Sequence, residues 1–383
     1  MTAAFADFQN EVYLKGLLGE PPTLPFGWRE VRDAACAVMT PQAVGYVEGS
    51  AGEEDTASAN RDAFARWRLV PRMLRGIPAR RDHATTVLGT SMPAPVMLAP
   101  VGVLSIVHPE AERAVARAAA RLGVPFVVST ASSTSLEDVM AAADGPKWFQ
   151  LYWPADRDLA ASFVRRAEVA GYAALVVTLD TWQLGWRPRD LSTAYLPFLL
   201  REGIANYLSD PVFTADLDPA DESAAVLKFV GVFNNPTLTW DDLAWLRSIT
   251  ALPIVLKGIQ HPDDVRRAAD AGVQGVICSN HGGRQVDGAL ASLDALPGLV
   301  EVAGDLPVLF DSGIRTGADA AKALALGAAA VLLGRPYVHG LGLAGEEGVH
   351  HVLRCLLADL DLQSGLAGHA STSELSSESV TRV

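Results

Sequence analysis

Cysteine is scarce in this 383-residue chain, with Cys36, Cys278 and Cys355 as the whole complement. An odd set without a close pair supplies no disulfide framework and no zinc-ligand spacing, so no metal centre is expected. Lysine is also scarce, with five in all. Lys and Arg together number 31 against 44 Asp and Glu, a formal net charge of −13. That balance argues against broad binding of nucleic acid or anionic membrane. No apolar run reaches the roughly 18 residues of a transmembrane helix. The opening MTAAFADFQNEVYLKG carries acidic residues where a secretory leader needs an apolar core. These absences lead us to expect a reduced, cytoplasmic protein with no membrane or nucleic-acid partner. Apolar residues are plentiful instead, at 49% against 20% charged. Such a composition excludes disorder over most of the length. The length suits two or three domains, or equally one α/β barrel of about 250 residues with additions.

From residue 95 onward, short apolar runs alternate with amphipathic stretches. The runs are PVMLAP (95–100), PFVVST (125–130), KWFQLYW (147–153), ALVVTLD (174–180), PIVLKG (253–258), GVICSN (275–280), PVLFDS (307–312) and AAVLLGR (329–335). Each is short, apolar on both faces and partly β-branched, as buried parallel strands are. Between them lie helical patterns such as EAERAVARAAARLG (110–123), several closed by glycine. Eight strand–helix units predict a (β/α)8 TIM barrel, with an open doubly wound sheet as the alternative. The expected organisation is one domain over 1–383. It comprises an N-terminal helical extension (1–94), a barrel (95–365) and a polar tail (366–383). The extension should include a short hairpin near TTVLGTSMP (85–93), cover the barrel's bottom or side, and reach over its mouth. Residues 181–238 are too long for an ordinary βα loop and read as a lid after strand four. Between Glu202 and Leu227 they hold no Lys or Arg, and the tip is read as mobile. The Ser-rich end, HASTSELSSESVTRV, reads as frayed.

Barrel chemistry sits at the C-terminal ends of strands. Those ends carry Val101 and Gly102, Ser129, Gln150 and Tyr152, Thr178 and Asp180, Lys257, His281 and Arg284, Asp311, Gly313 and Arg315, then Gly334 and Arg335. A lysine closing a buried strand needs an anionic partner or an altered pKa. Lys257 could form a Schiff base, stabilise a cofactor anion or make a structural ion pair. His281 is either a satisfied core histidine or, with Asp180 on the same rim, an oriented general base. Arg284, after two glycines, suits bidentate binding of a carboxylate. DSGIRTGAD and LLGRP offer glycine N–H groups, a helix N-terminus and two arginines, the usual barrel phosphate site. The plainer alternative is tight turns with surface arginines.

In these residues the chain resembles the FMN-dependent L-2-hydroxy acid oxidising family. SNHGGRQ (279–285) is the most specific match. LYW (151–153), VTLDT (177–181), LKG (256–258), DSGIRTGAD (311–319), KALALGA (322–328) and GRP (334–336) follow in the family's order. The match spans about residues 30–365. Within the family it is most similar to the lactate 2-monooxygenase group, through GYVEGSAGEEDT (45–56), APVGVLSIVHP (99–109), STASS (129–133), GWRPRDL (185–191) and KGIQHPDD (257–264). The resemblance implies FMN as cofactor, and a small 2-hydroxy acid such as L-lactate and oxygen as reactants. It also implies a homo-oligomer, a tetramer or larger. His281 resembles the active-site base and Asp180 its charge partner. Arg284 and Tyr46 resemble the substrate-carboxylate ligands, Arg187 the second active-site arginine, and Tyr152 the hydroxyl contacting the substrate oxygen. Lys257 resembles the lysine near flavin N1/O2. Val101, Ser129, Gln150 and Thr178 resemble residues around the flavin ring, and Asp311, Gly313, Arg315, Gly334 and Arg335 those holding ribityl and phosphate. The expected outcome is keto acid held under the lid and decarboxylated to acetate, carbon dioxide and water. The alternatives are an oxidase releasing keto acid and peroxide, a dehydrogenase using another acceptor, and a non-catalytic FMN-binding protein. Two departures stand out. Ala131 replaces a bulky tryptophan, and Gly102 replaces the common alanine, which is expected to leave more room there.

Overall fold

The computed structural model describes residues 4–218 and 220–383. Its centre is a closed barrel of eight parallel strands. They are β1 (Val96–Leu98), β2 (Phe126–Ser129), β3 (Lys147–Leu151), β4 (Leu175–Thr178), β5 (Ile254–Ile259), β6 (Gly275–Cys278), β7 (Val308–Phe310) and β8 (Val331–Leu333). Each apolar run read from the sequence supplies one strand. Neighbours follow chain order, and β8 closes on β1 through Val331–Val96 and Leu333–Leu98. Eight helices cover the outside: α1 (Ala111–Leu122), α2 (Leu136–Ala141), α3 (Arg157–Ala170), α4 (Asp242–Ser248), α5 (Pro262–Asp270), α6 (Ser292–Ala303), α7 (Gly317–Ala325) and α8 (Arg335–Leu366). Helix α8 kinks at Ala344 and Gly345.

The two-residue period of a strand divides the core in two. Val96, Leu98, Phe126, Val128, Phe149 and Leu175 point outward and pack under the helices. Met97, Val127, Trp148, Val176, Val255, Ile277, Leu309 and Leu332 point inward and fill the barrel. Below them the hairpin Thr85–Val87/Thr90–Met92 closes the barrel floor. Its Val87 and Met92 join the inner cluster, and Thr90 accepts a hydrogen bond from Trp148 Nε1 at 2.8 Å. The rest of the extension is helical, at Asp7–Leu17, Trp28–Val38, Pro41–Glu48 and Asp55–Ala65. The third of these ends at the barrel mouth, where Tyr46 and Val47 line the cavity described below.

Two sequence readings need correction. The tip of the 181–238 lid, read as mobile, holds regular elements. The segment folds into short helices and the longer Glu222–Phe233. Phe198, Tyr207, Phe213, Phe229 and Phe233 stack on one another and seat on Phe163 of α3. Its acidity is partly internal, since buried Asp210 pairs with Arg166 at 2.9 Å and accepts from Ser162 at 2.8 Å. The C-terminus is not frayed either. Val380–Arg382 pairs antiparallel with Trp67–Leu69. Thr372 N donates to His83 Nδ1 at 3.1 Å. A Ser-rich segment looks like a tail when its partner strand lies more than 310 residues away in sequence, as Trp67 does from Arg382.

Candidate active site

Continuing each inward row two residues beyond the apolar layer gives Ser129, Gln150, Thr178, Lys257, Ser279 and Asp311. All are nearly fully buried. Two residues further come Ala131, Tyr152, Asp180, His281 and Gly313. The mouth of the barrel is therefore a polar layer resting on an apolar plug. Above it opens a cavity of about 1140 Å³, open mouth included. Tyr46, Val101, Tyr152, Arg187, Lys257, His281 and Arg284 line it, as do Asp311, Gly313, Arg315, Gly334 and Arg335. Ser129, Gln150 and Thr178 are not on its wall. They lie in the layer beneath.

His281 Nδ1 lies 2.8 Å from Asp180 Oδ1. The hydroxyl of Thr181 stands 3.0 Å from both atoms. Burial pushes the Asp180 carboxyl up, but His281 and Lys257 outweigh it and hold it at about 2. Burial, together with Lys257, lowers the His281 imidazole in spite of Asp180. The pair is thus a carboxylate beside a neutral ring. The carboxylate accepts a hydrogen bond from Nδ1–H, which leaves the lone pair of Nε2 directed into the site as an acceptor. Nε2 is 3.5 Å from Tyr152 Oη. Burial raises the Tyr152 phenol well above its ordinary value, so it keeps its proton.

Lys257 Nζ donates to Ser279 Oγ at 3.0 Å and sits 3.4 Å from Asp311 Oδ2. Burial alone would lower its pKa, but Asp311 and Asp180 raise it. A lysine held as a cation cannot serve as a Schiff-base nucleophile, so that reading falls away. Gly258 makes this crowding possible. The β5–β6 register shifts there, its φ is +104°, and a Cβ would stand 2.8 Å from Asp180 Cβ.

Four arginines, Arg187, Arg284, Arg315 and Arg335, face the cavity, and among the described residues none has a carboxylate within ion-pair distance. Arg284 Nη1 donates to Tyr46 O at 2.7 Å, and the guanidinium stacks 5.1 Å from the Tyr46 ring. Arg335 donates to Val47 O at 2.9 Å and to Ser50 Oγ at 2.9 Å. Arg315 stacks on Trp28 at 4.9 Å, and its Nε has no partner. Burial, with repulsion from Arg187, Arg61 and Arg315 respectively, lowers Arg284 to about 9 and Arg315 and Arg335 to about 10. Half-buried and buried cations without carboxylate partners call for anions in the cavity. Arg335 also donates to Gly282 O, next to His281, at 3.1 Å, and it shares Gly49 O with Arg284, so it links Arg284 with Gly334 at the end of β8. The helix N-terminus available here is that of α8, which no side chain caps. That of α7 is occupied, because Gly317 N donates to Asp359 and Asp319 N to Thr316.

The sequence profile of FMN-dependent dehydrogenases matches residues 35–382. The chain is 43% identical to the FMN-dependent alpha-hydroxy acid dehydrogenase qulF of Penicillium citrinum, covering 99% of this chain and 96% of that one. The chain belongs to the FMN-dependent dehydrogenase family. It is 42% identical to an L-lactate oxidase of Lysinibacillus sphaericus, covering 94% of each. A mandelate oxidase crystallised with (S)-4-hydroxymandelic acid superposes with a TM-score of 0.84 at 38% identity, covering 93% of this chain and 98% of that one. The relatives it matches are named as FMN-dependent or L-lactate-oxidising enzymes, so the family assignment makes it a flavin-dependent oxidoreductase family member.

The cavity suits that cofactor. Ser129 Oγ donates to Gln150 Oε1 at 2.8 Å, which fixes the amide and leaves Nε2 as an unused donor. The Nε of Arg315 is unused as well among the described residues, none of which gives it a carboxylate partner. Sequence reasoning missed Leu184, Phe198 and Phe233, which bring apolar surface from the 181–238 segment into the cavity. No motif marks them, because their place depends on how that segment folds back. The Gly102 reading is also corrected. A methyl there would meet Ala131 O at 2.5 Å, so the space is filled by backbone rather than open.

Proposed function

We propose that this chain, as a single domain, oxidises a small L-2-hydroxy acid, L-lactate first among them, with oxygen as acceptor. FMN, when bound, takes two electrons from the substrate and passes them to oxygen. Arg315, Arg335, Gly313 and Gly334 hold its phosphate end, Asp311 the ribityl chain, and Val101, Ser129, Gln150, Thr178 and Lys257 the ring. Arg284, Tyr46 and Arg187 bind the substrate carboxylate as a charge-assisted pair. His281 Nε2 takes the proton, and Asp180 stabilises the imidazolium so formed. Tyr152 donates its hydroxyl proton toward the substrate oxygen. Lys257, held as a cation by Asp311, would offer positive charge to the flavin ring in the cavity it lines. The observation that carries this reading is the His281–Asp180 pair beside buried Arg187 and half-buried Arg284, neither of which has a carboxylate within ion-pair distance among the described residues.

The folded 181–238 segment over the cavity supports retention of the keto acid. Held there, it reacts with the hydrogen peroxide formed alongside it, giving acetate, carbon dioxide and water. The second reading is release of pyruvate and peroxide, favoured by the identity with a protein named L-lactate oxidase. We further propose a cytoplasmic homo-oligomer, which the three unpaired cysteines and the exposed apolar face of helix Asp7–Leu17 support. The test is anaerobic addition of L-lactate to the FMN-loaded protein, then product analysis in air. Bleached flavin bands and acetate support the monooxygenase, and pyruvate with peroxide supports the oxidase. Bands that persist with every 2-hydroxy acid overturn both.

A further inference from the structure

Gln285 ends the SNHGGRQ motif, and no chemistry described so far uses it. Its side-chain amide makes four hydrogen bonds, all to the segment that leaves β4. Nε2 donates to Asp180 O at 2.7 Å and to Gln183 O at 2.8 Å. Oε1 accepts from Arg187 Nη2 at 2.8 Å and from Gly185 N at 3.4 Å. Arg187 Nε donates in addition to Arg284 O at 3.1 Å. The two segments lie in direct backbone contact, since a Cβ on Gly185 would come 2.7 Å from both Arg284 O and Gln285 O.

A primary amide is the only neutral side-chain group that offers two donors and two acceptor lone pairs at one point. All four are used here. One end grips the backbone of Asp180, the partner of His281. The other grips the guanidinium of Arg187, a cation without a carboxylate. Arg187 is then held by Nη2 and Nε, and its remaining N–H groups are left for the cavity it lines. A long side chain such as Arg187, at the end of a loop just before helix Pro188–Ser192, loses much rotamer freedom on being fixed. Anchoring it in advance removes that cost from substrate binding.

We propose that Gln285 is a positioning residue for the reaction. It sets Arg187 toward the substrate carboxylate and Asp180 toward His281 through one amide. This rests on the roles given to Arg187, Asp180 and His281 above. Glutamate keeps the shape but not the chemistry. A carboxylate would face two carbonyl oxygens at 2.7–2.8 Å and would neutralise Arg187. It would also add negative charge near His281, which raises the pKa of the imidazole. Methionine keeps the length and removes every bond.

The experiment compares wild type, Gln285→Glu and Gln285→Met, each loaded with FMN. Oxalate, a dicarboxylate with no oxidisable hydrogen, is titrated by its effect on the flavin spectrum. The rate of anaerobic flavin bleaching is measured against pH. For Gln285→Glu, the expected result is oxalate affinity at least 30-fold weaker and an acid limb of the rate profile shifted to higher pH. For Gln285→Met, it is about tenfold weaker affinity with the limb unmoved upward. Variants that melt at lower temperature yet keep oxalate affinity within twofold and an unshifted limb would show a merely structural role and overturn the proposal. If Gln285→Glu cannot be isolated folded, Gln285→Met with oxalate decides alone. A wild type that no 2-hydroxy acid bleaches would instead overturn the functional reading.

Discussion

Replacing Asp180 with asparagine tests the centre of the site. The change keeps shape and volume and removes one charge, 2.8 Å from His281 Nδ1. For charges about 4 Å apart at an effective dielectric of about 20, the attraction lost is ~4 kcal/mol. That corresponds to about three decades of proton affinity at His281. If the proton is about half transferred in the transition state, roughly half of that loss appears in the rate, some 30-fold. The amide also permits the wrong ring tautomer, which costs about another factor of ten. Asp180→Asn should therefore slow anaerobic flavin bleaching by about 10²–10³-fold. Oxalate binding should change much less, because Arg284 and Arg187 are untouched. The pH dependence carries a sign. The base must be neutral, so the rate falls as pH drops through the pKa of His281. Asp180 raises that pKa, so its loss moves the acid limb to lower pH. A variant that bleaches within tenfold of wild type, or whose acid limb moves upward, would refute this account of the base.

Gly258→Ala puts a methyl at φ +104° and 2.8 Å from Asp180 Cβ. It should cost about 1–3 kcal/mol in urea denaturation and slow bleaching, and a loss under 0.5 kcal/mol would count against the packing. Arg315→Gln removes a cation whose Nε has no partner, and should weaken FMN binding at least tenfold in a fluorescence titration, about 1.4 kcal/mol. An unchanged affinity would place the phosphate elsewhere. Asp180 and Glu48 are both held at about 2 when folded, below their unfolded values. Their contribution to stability is complete above about pH 4–5 and is lost as pH falls toward 2. The urea midpoint should fall across that window, and less steeply in Asp180→Asn. Truncation after Gly368 removes the strand paired with Trp67–Leu69 and the Thr372–His83 bond. The melting temperature should drop by several degrees, whereas a loose tail would leave it unchanged.

The barrel was legible in the sequence because a buried parallel strand must be apolar on both faces, and eight such runs follow one another at regular spacing. So was the placement of Asp180, Lys257 and His281 at the barrel mouth. Each is a polar residue at or just past the end of an apolar run, and the inward parity that fills the barrel with Met97, Val176, Val255 and Ile277 carries on into the mouth. Local pattern therefore determined both the fold and the rim from which chemistry is built. Other features depend on segments far apart in the chain, and only the tertiary structure decided them. Phe198 and Phe233 reach the cavity because an aromatic cluster folds their segment onto α3. The last strand exists because Trp67–Leu69 offers it an edge. The space beside Gly102 is closed by the carbonyl of Ala131, and the N-terminus of α7 is closed by Asp359. Gln285 is an ordinary polar residue until its amide is seen to bridge Asp180 and Arg187. Hydrophobic period is a property of neighbours in sequence, whereas hydrogen-bond satisfaction and close approach belong to neighbours in space.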